Sequence, residues 1–346
     1  KIMRIAQVAP LWTSVPPSTY GGTELIVHLL TEELVSRGHD VTLFATGDSQ
    51  TSAKLRPICE SNLVNTMGKG EAYQYEYYVN ASLSSAIREG NSFDLIHCHL
   101  GCAWIPFMAL SKTPILYSVG SAVTVDDRWV LSRYPDVNVT FRSYDQIATI
   151  PPENRKNIRV IYNACDFDRF ELSIQSGKYL AFLGRMSSNK NPLGAIQIAK
   201  EVGLPIVLAG EPMNADENQY FVDNIKPLID GDNVIYLGPV NHDQKVDLLK
   251  NAAAFLFPIQ WPEPFGIVMI EAMACGTPVI ACRKGSVAEV IDLGKTGFYA
   301  ESVEELIPLI SRAMSLDRRT VREHAMQRFS VKRMVDDYLA LYESLV

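Results

Sequence analysis

Two glutamates at the ends of one short segment give the strongest chemical signal in the chain. The segment reads Glu263-Pro-Phe-Gly-Ile-Val-Met-Ile-Glu271, which predicts a turn followed by a mostly apolar helix. Glu271 is the only charge in that helix, and a carboxylate is costly to bury unless partners hold it. A ribose diol offers two hydroxyl donors for the two carboxylate oxygens. We therefore interpret Glu271 as a ribose ligand, with a solvent-facing position as the alternative.

The turn that opens this segment carries a second set of polar groups. Glu263 stands there beside the backbone N–H groups of Phe265 and Gly266. A carboxylate accepts hydrogen bonds and an amide donates them, so together they match the hydroxyl groups of a sugar. We expect Glu263, Phe265 and Gly266 to hold the sugar part of a bound donor.

Two cations lie close together in an earlier segment, Leu183-Gly-Arg-Met-Ser-Ser-Asn-Lys-Asn-Pro192. Arg185 and Lys190 occupy a predicted loop between a strand and a helix. A diphosphate needs such concentrated positive charge, with arginine binding two oxygens at once and lysine acting as a point charge. A solvated loop, which basic residues also favour, is the alternative.

A glycine pair opens the first predicted helix, in the segment Tyr20-Gly-Gly-Thr-Glu24. Glycine lets the backbone approach a ligand closely, and the N-terminus of a helix attracts anions. Gly21 and Gly22 therefore suit a phosphate, although a plain strand-to-helix turn explains them equally well. The segment lacks the G-x-G-x-x-G spacing of a dinucleotide site, which disfavours a nicotinamide oxidoreductase.

Two histidines stand two residues apart at a predicted strand end, in Asp94-Leu-Ile-His-Cys-His99. Residues at this spacing share one face of a strand, so His97 and His99 point the same way. The carboxyl end of such a strand is a usual place for a substrate contact. A metal pair and a packed structural role stay open as alternatives, but no third metal ligand is evident nearby.

The elements that must position these residues alternate between strands and helices, which is typical of an α/β protein. In the first half the predicted strands are 3–9, 41–45, 94–98, 114–118 and 157–162, and the helices are 23–37 and 81–88. In the second half the strands are 179–183, 205–209, 233–237, 253–257 and 278–281, and the helices are 191–202, 219–229, 244–251 and 266–274. Two successive series imply two parallel sheets with helices on both faces. We expect the boundary between Asn163 and Gly177, and a ligand site in the cleft between the domains.

Composition limits the classes of function. A chain of 346 residues suits two domains, and its formal charge of −7 disfavours nucleic acid as the main partner. No apolar run has the length of a membrane span, and the first residues lack a signal-peptide pattern. The six cysteines are scattered, as expected of free thiols in a reducing cytoplasm. We expect a cytoplasmic protein with peripheral membrane contact at most.

The combination of these segments, in this order, resembles family 4 of the retaining glycosyltransferases, which have the GT-B fold. The resemblance covers most of the chain. The segment 263–281 is similar to the E-x7-E region of that family, and the pair Gly21-Gly22 is similar to its N-terminal glycine loop. Asp94-Leu-Ile-His-Cys-His99 resembles its H-x-H strand end, Phe182-Leu-Gly-Arg185 with Lys190 its phosphate-binding pair, and Thr296-Gly-Phe298 a late turn.

The resemblance implies a role for each residue. Arg185 and Lys190 neutralise the leaving diphosphate of a sugar nucleotide, and Glu271 binds its ribose. His99 lies near the reacting sugar, and Gly22 approaches the phosphates from the other domain. It also implies no metal and no cofactor, and front-side attack by an acceptor hydroxyl with retention at the anomeric carbon. An N-terminal acceptor-side domain of 1–165 with a returning helix 331–346, and a donor domain of 166–330, complete the expected GT-B architecture.

The chain departs from the family pattern in three places, which affect the identity of the substrates. No histidine follows the strand in Ile115-Leu-Tyr-Ser-Val-Gly120, and Tyr162-Asn-Ala164 replaces a frequent P-N-G stretch. Gly285-Ser-Val-Ala-Glu289 replaces a frequent G-G-x-P-E turn. The acceptor, the sugar and the nucleotide base therefore stay open. A sugar-nucleotide epimerase or hydrolase of the same fold and a non-catalytic sugar-nucleotide binder are the alternative functions.

Overall fold

The computed structural model of the protein describes residues 2–18 and 21–346. The chain divides into two compact units. The N-terminal unit comprises Lys1–Ala164 together with Val331–Val346, and the C-terminal unit comprises Cys165–Ser330. Among the described residues, no helix is long and apolar enough to cross a membrane.

The N-terminal unit is built on a seven-stranded sheet in which every neighbouring pair is parallel. Its strands are β1 (Arg4–Val8), β2 (Asp40–Ala45), β3 (Lys54–Pro57), β4 (Leu95–Cys98), β5 (Ile115–Val119), β6 (Asn138–Phe141) and β7 (Ile158–Val160), in the order β3-β2-β1-β4-β5-β6-β7. Its helices are α1 (Gly22–Ser36), α2 (Leu63–Gly68), α3 (Tyr75–Arg88), α4 (Val125–Arg133), α5 (Tyr144–Ile147) and α14 (Val331–Leu345). Because β1 and β4 are central and almost wholly buried, the segments that follow them emerge at the middle of the carboxyl edge.

The C-terminal unit repeats this plan with a six-stranded parallel sheet. Its strands are β8 (Tyr179–Leu183), β9 (Ile206–Ala209), β10 (Val234–Tyr236), β11 (Ala252–Phe257), β12 (Val279–Cys282) and β13 (Gly297–Ala300), in the order β10-β9-β8-β11-β12-β13. Its helices are α6 (Pro192–Val202), α7 (Ala215–Tyr220), α8 (His242–Lys250), α9 (Ile267–Ala274), α10 (Val287–Val290), α11 (Val303–Leu306), α12 (Ile310–Met314) and α13 (Arg318–Phe329). The strand order reverses between β8 and β11, which makes the carboxyl ends of these two strands the usual ligand position.

The prediction of two parallel-sheet α/β domains is confirmed, although three strands were missed. The missed strands β3, β6 and β13 are each only four residues long, and β3 is a largely exposed edge strand. The predicted helix 219–229 is wrong as a single element. It breaks into the end of α7, a π-helical segment at Phe221–Ile225 and a 3₁₀ turn at Lys226–Leu228. Pro227 lies in the 3₁₀ turn and lacks the N–H that an α-helix requires, so a regular helix does not resume there.

The C-terminal helix α14 is amphipathic and buries Met334, Val335, Tyr338 and Tyr342. Leu339 and Leu345 of the same helix are only partly buried. The buried side chains include two tyrosines, Tyr338 and Tyr342, whose hydroxyl groups bond to polar residues of the sheet. A hydrophobicity pattern misses tyrosines of this kind, because each combines an apolar ring with a hydrogen-bonding group.

Candidate functional site

The loop between β8 and α6 carries Arg185 and Lys190 at the carboxyl end of the central strand of the C-terminal unit. Asn191 ends this loop in the left-handed conformation, with φ of 58°. Its side chain accepts a hydrogen bond from Gly194 N–H at 3.0 Å, which caps α6, and donates one to the Pro258 carbonyl oxygen at 3.0 Å. The loop is therefore fixed at both the helix and the end of β11, which holds the two cations in place.

Lys190 forms an ion pair with Glu263 that is largely withdrawn from solvent. The distance from Lys190 Nζ to Glu263 Oε2 is 2.5 Å, and the two side chains are 11% and 12% exposed. The indole N–H of Trp261 donates to the same oxygen at 2.8 Å, and the ring centroids of Trp261 and Phe257 lie 5.3 and 5.7 Å from the ammonium group. Glu263 Oε1 has no hydrogen bond to any described residue, so it is available to a ligand.

The turn that carries Glu263 is shaped by two glycines and a serine. Gly266 caps α9 with φ of 78°, and a Cβ there would lie 2.8 Å from Met269 Cε. A Cβ on Gly285 would lie 2.3 Å from both the N and O atoms of Glu263. Ser286 donates from its backbone N–H to the Glu263 carbonyl at 3.0 Å and from Oγ to the Phe265 carbonyl at 2.8 Å. The strand-to-helix loop after β12 therefore supports the glutamate turn by direct backbone contact.

Glu271 lies buried on α9, only 6% exposed, so the alternative of a solvent-facing position is wrong. Its Oε1 accepts from Lys245 Nζ at 2.5 Å, and Lys245 in turn lies 5.5 Å from the centroid of the Phe170 ring. The lysine on α8 supplies the positive charge that a carboxylate at this position requires. Glu271 Oε2 has no hydrogen-bond partner in the described part of the chain.

Arg185 is held on one side only. Its Nη1 donates to Glu217 Oε1 at 2.9 Å, while Glu217 Oε2 accepts from the backbone N–H of Met213 at 2.8 Å. The Nε atom of Arg185 is buried and makes no hydrogen bond with the residues that the structure describes. The Nε and Nη2 donors form the edge of a guanidinium that binds two anionic oxygens together. Glu217 thus fixes the side chain and leaves that edge for another acceptor.

The glycine pair lies in the N-terminal unit, at the start of α1. A Cβ on Gly21 would lie 2.8 Å from Pro17 Cβ, so a larger residue does not fit without rearrangement. Gly22 is the first residue of α1, whose first turn holds the buried Glu24. Burial raises the pKa of the Glu24 carboxyl group. Tyr20, the first residue of the motif, lies outside the described residues.

His97 and His99 both end up buried at the carboxyl end of β4, with ring centroids 3.8 Å apart. Both ring nitrogens of His97 are engaged, Nδ1 with the Tyr342 hydroxyl and Nε2 with Ser118 Oγ, each at 2.6 Å. His97 therefore has no nitrogen left for a metal ion. His99 Nε2 lies 2.6 Å from Gln7 Oε1, whereas its Nδ1 is buried without a partner among the described residues.

The structure joins only some of the predicted site residues by direct contact. Lys190 and Glu263 are paired, whereas Arg185 and Glu271 bind Glu217 and Lys245, two residues that the sequence patterns did not indicate. His99 and the glycine pair belong to the N-terminal unit. Lys245 stands 26 residues before Glu271 on another helix, and no local pattern connects them. Trp261 did have a signal, since it lies two residues before Glu263.

Comparison with known proteins agrees with this architecture. The model of the family "Glycosyltransferase Family 4" matches residues 20–169, and the model "Glycosyl transferases group 1" matches residues 165–328. Spore coat protein SA of Bacillus subtilis is 24% identical, with 99% of each chain covered. D-inositol 3-phosphate glycosyltransferase of Mycolicibacterium smegmatis is 25% identical, over 93% of this chain and 86% of the relative. The crystal structure of AviGT4, a glycosyltransferase involved in avilamycin A biosynthesis, superposes with a TM-score of 0.74 at 25% identity, covering 99% of this chain and 98% of that one.

These matches, together with the two parallel α/β units, define a glycosyltransferase of the GT-B fold. Within that class, the chain belongs to glycosyltransferase family 4.

Proposed function

We propose that this enzyme is a retaining glycosyltransferase that moves a hexose-type sugar from a nucleotide-diphosphate sugar to an acceptor hydroxyl group without a metal ion. The observation that carries the proposal is the arrangement of Arg185 and Lys190. Both cations lie on one fixed loop, and each is anchored by a single carboxylate, Glu217 or Glu263. The loop therefore offers two fixed cationic donors to a diphosphate, which would otherwise need a divalent cation.

The two cations contribute differently to the proposed diphosphate site. Arg185 offers an unpaired Nε donor, and a guanidinium binds two phosphate oxygens in one plane. Lys190 Nζ forms an ion pair with Glu263 Oε2 at 2.5 Å, so the lysine positions this glutamate as well as attracting the phosphate. The first turn of α9 adds backbone N–H groups to the proposed site, because such groups have no acceptor within the helix. The capping residue Gly266 has no side chain that could accept from them.

The two glutamates bind different parts of the donor, one the ribose of the nucleotide and the other the transferred sugar. Glu271 accepts from Lys245 through one oxygen and keeps its other oxygen open, which supports hydrogen bonding to the ribose hydroxyls. Glu263 likewise keeps Oε1 open beside its pair with Lys190, and we assign it, with the Phe265 and Gly266 backbone, to the transferred sugar. In both cases the bound lysine holds the carboxylate in one orientation.

In the proposed reaction an acceptor oxygen attacks the anomeric carbon from the side on which the diphosphate leaves. The bond from the anomeric carbon to the phosphate oxygen breaks as the new glycosidic bond forms, and the acceptor proton passes to the departing diphosphate. Arg185 and Lys190 stabilise the negative charge that develops on the leaving group. We assign His99 to the reacting sugar and Gly21 and Gly22 to the phosphates, with catalysis resting on position and charge.

The nucleotide is identified by a thermal-shift panel of UDP-, GDP- and ADP-sugars. A ligand at a hundred times its Kd stabilises the folded protein by about 2.7 kcal/mol, which raises Tm by several degrees. We expect one nucleotide series to raise Tm, with and without EDTA. A variant with Arg185→Ala should lose the shift. A shift that requires a divalent cation contradicts metal independence.

The reaction class is tested with the donor that this panel selects. We expect transfer to an acceptor hydroxyl, with a product whose anomeric configuration, read by proton NMR, equals that of the donor. Inversion contradicts the retaining mechanism. Release of free sugar or formation of an epimer without an acceptor favours the hydrolase or epimerase alternative, and binding without turnover across an acceptor panel favours a non-catalytic binder.

A further inference from the structure

A chain of buried polar groups connects His99 to the C-terminal helix of the N-terminal unit. The side-chain amide of Gln7 joins two of its members, since Oε1 lies 2.6 Å from His99 Nε2 and Nε2 donates to the Tyr342 hydroxyl at 3.2 Å. Gln7 is fully buried, and its neighbours on β2 and β4 fix its backbone through the parallel register. The amide is therefore held between one imidazole and one phenol.

The hydrogen-bonding capacities of these groups determine where the protons lie. An amide oxygen only accepts, so His99 Nε2 carries its proton toward Gln7 Oε1. Burial lowers the pKa of His99 well below its usual range, and the nearby guanidinium of Arg142 lowers it further. The ring is therefore neutral, with one proton on Nε2 and a lone pair on Nδ1.

The hydrogen bonds of His97 determine its tautomer in the same way. The Tyr342 hydroxyl accepts from Gln7 and donates to His97 Nδ1, so His97 donates from Nε2 to Ser118 Oγ at 2.6 Å. Of the side-chain nitrogen and oxygen atoms in this series of bonded groups, His99 Nδ1 is the one that is buried without a partner among the described residues. A buried acceptor left unpaired destabilises the unliganded protein, so its partner is expected from a ligand.

We propose that Gln7 is a positioning residue that holds His99 as the Nε2–H tautomer, so that Nδ1 accepts a hydrogen bond from a hydroxyl group of the bound substrate. This inference rests on the proposed function, which places His99 at the reacting sugar. A lone pair attracts an O–H donor and repels an anionic oxygen, so the group selected is a neutral hydroxyl and not a phosphate. Burial, together with the nearby charge of Arg142, keeps the ring unprotonated, which makes His99 an orienting group and not a general acid.

The tautomer is measured directly by ¹⁵N NMR of the imidazole rings in the unliganded wild-type protein. We expect His99 to show a protonated Nε2 and an unprotonated Nδ1, assigned by the loss of its signals in the variant His99→Asn. In Gln7→Met, which lacks both amide groups, the Nδ1–H form should become populated. Ser118→Ala is the matched control, because it disturbs the same buried chain but leaves the bond between Gln7 and His99. A wild-type His99 with its proton on Nδ1 overturns the proposal.

The role of Nδ1 is tested by two substitutions that each mimic one ring nitrogen. An asparagine amide reaches the position of Nδ1, whereas a glutamine amide reaches that of Nε2. We expect His99→Gln to have about tenfold lower kcat/KM than His99→Asn, as for one lost hydrogen bond in the transition state. Gln7→Met should lower kcat/KM by a similar factor with unchanged affinity for the nucleoside diphosphate. Equal or higher activity of His99→Gln overturns the proposal.

The tautomer of His99 and the transfer activity are independent measurements. Absence of binding and transfer with every sugar nucleotide refutes the proposed function, while the tautomer of the unliganded protein still decides the role of Gln7. Transfer activity together with the opposite tautomer refutes the role of Gln7 alone.

Discussion

Removing the charge of Lys190 should destabilise the C-terminal unit by about 3 kcal/mol. The ammonium group and Glu263 Oε2 lie 2.5 Å apart, and each side chain keeps only about a tenth of its surface in solvent. Removal of one partner from a buried ion pair costs about 3–5 kcal/mol, because the other charge stays behind unpaired. Trp261 still donates to the carboxylate at 2.8 Å, so we expect the lower end of this range. The matched substitution is Lys190→Met, which keeps an unbranched apolar side chain and removes the charge.

The assay is urea unfolding followed at the ¹⁹F signal of 5-fluorotryptophan at position 261. Trp261 lies in the C-terminal unit, while Trp12, Trp104 and Trp129 lie in the other unit, so its signal reports the unit that contains the pair. With a urea dependence of about 2 kcal/mol per molar, the loss corresponds to a midpoint shift of about 1.5 M.

A double-mutant cycle separates the pair from the loss of packing. Replacing both charges, with Lys190→Met and Glu263→Gln together, leaves no unpaired charge and should recover about 2 kcal/mol relative to the sum of the single variants. If the effects of the two substitutions add within about 0.5 kcal/mol, the two groups are not coupled and the reasoning is refuted.

Four further predictions follow from other contacts. The substitution Arg185→Ala should lower turnover by about 10²-fold. Arg185→Lys should recover only part of the lost turnover, because lysine lacks the planar guanidinium that binds two oxygens. Unchanged turnover would contradict the role of Arg185 at the diphosphate. Glu271→Ala should weaken nucleotide binding about tenfold by calorimetry, and wild-type affinity would exclude a ribose contact. The substitution Gly285→Ala should lower Tm more than the control Gly294→Ala. Both glycines have a positive φ, but only at Gly285 do other atoms lie within 4 Å of the added Cβ. Equal shifts in Tm would contradict the close contact between Gly285 and the glutamate turn. Burial raises the pKa of Glu24 in the folded state, so the folded protein binds its proton more tightly than the unfolded chain does and loses stability as pH rises from about 4.5 through that pKa. The variant Glu24→Gln should therefore have a higher Tm than the wild type at pH 7 but not at pH 4. A difference in Tm that does not depend on pH would show that the pKa of Glu24 is not raised in the folded protein.

The sequence patterns identified elements well where hydrophobicity and length agreed. Strand β8 was predicted at its observed bounds, because a buried run of apolar residues leads directly into a Gly-Arg loop. The short edge strand β3 was not predicted, because its residues are mostly exposed and only its pairing with β2 makes it a strand. The helix around Phe221 was misjudged because apolar spacing does not distinguish an α-helix from the π-helical and 3₁₀ segments that replace it.

For the candidate site, residue type and position on an element could be predicted, but partners could not. Glu271 was expected to be buried because its helix is apolar, and it is. That Lys245 neutralises it depends on the packing of α8 beside α9, a contact between residues 26 positions apart. The same holds for Arg185 and Glu217, which lie 32 positions apart.

The sequence by itself determined the two α/β series, the cation loop and the glutamate turn, because each is encoded by residues close together in the chain. Only the tertiary structure decided which charges neutralise each other and which donors stay unpaired. It also placed Gln7 of β1 against His99 after β4 and brought Tyr342 of the last helix to the same amide. The reason is that a parallel sheet brings strand ends together from distant parts of the chain, and hydrogen-bond partners are chosen there by geometry rather than by sequence spacing.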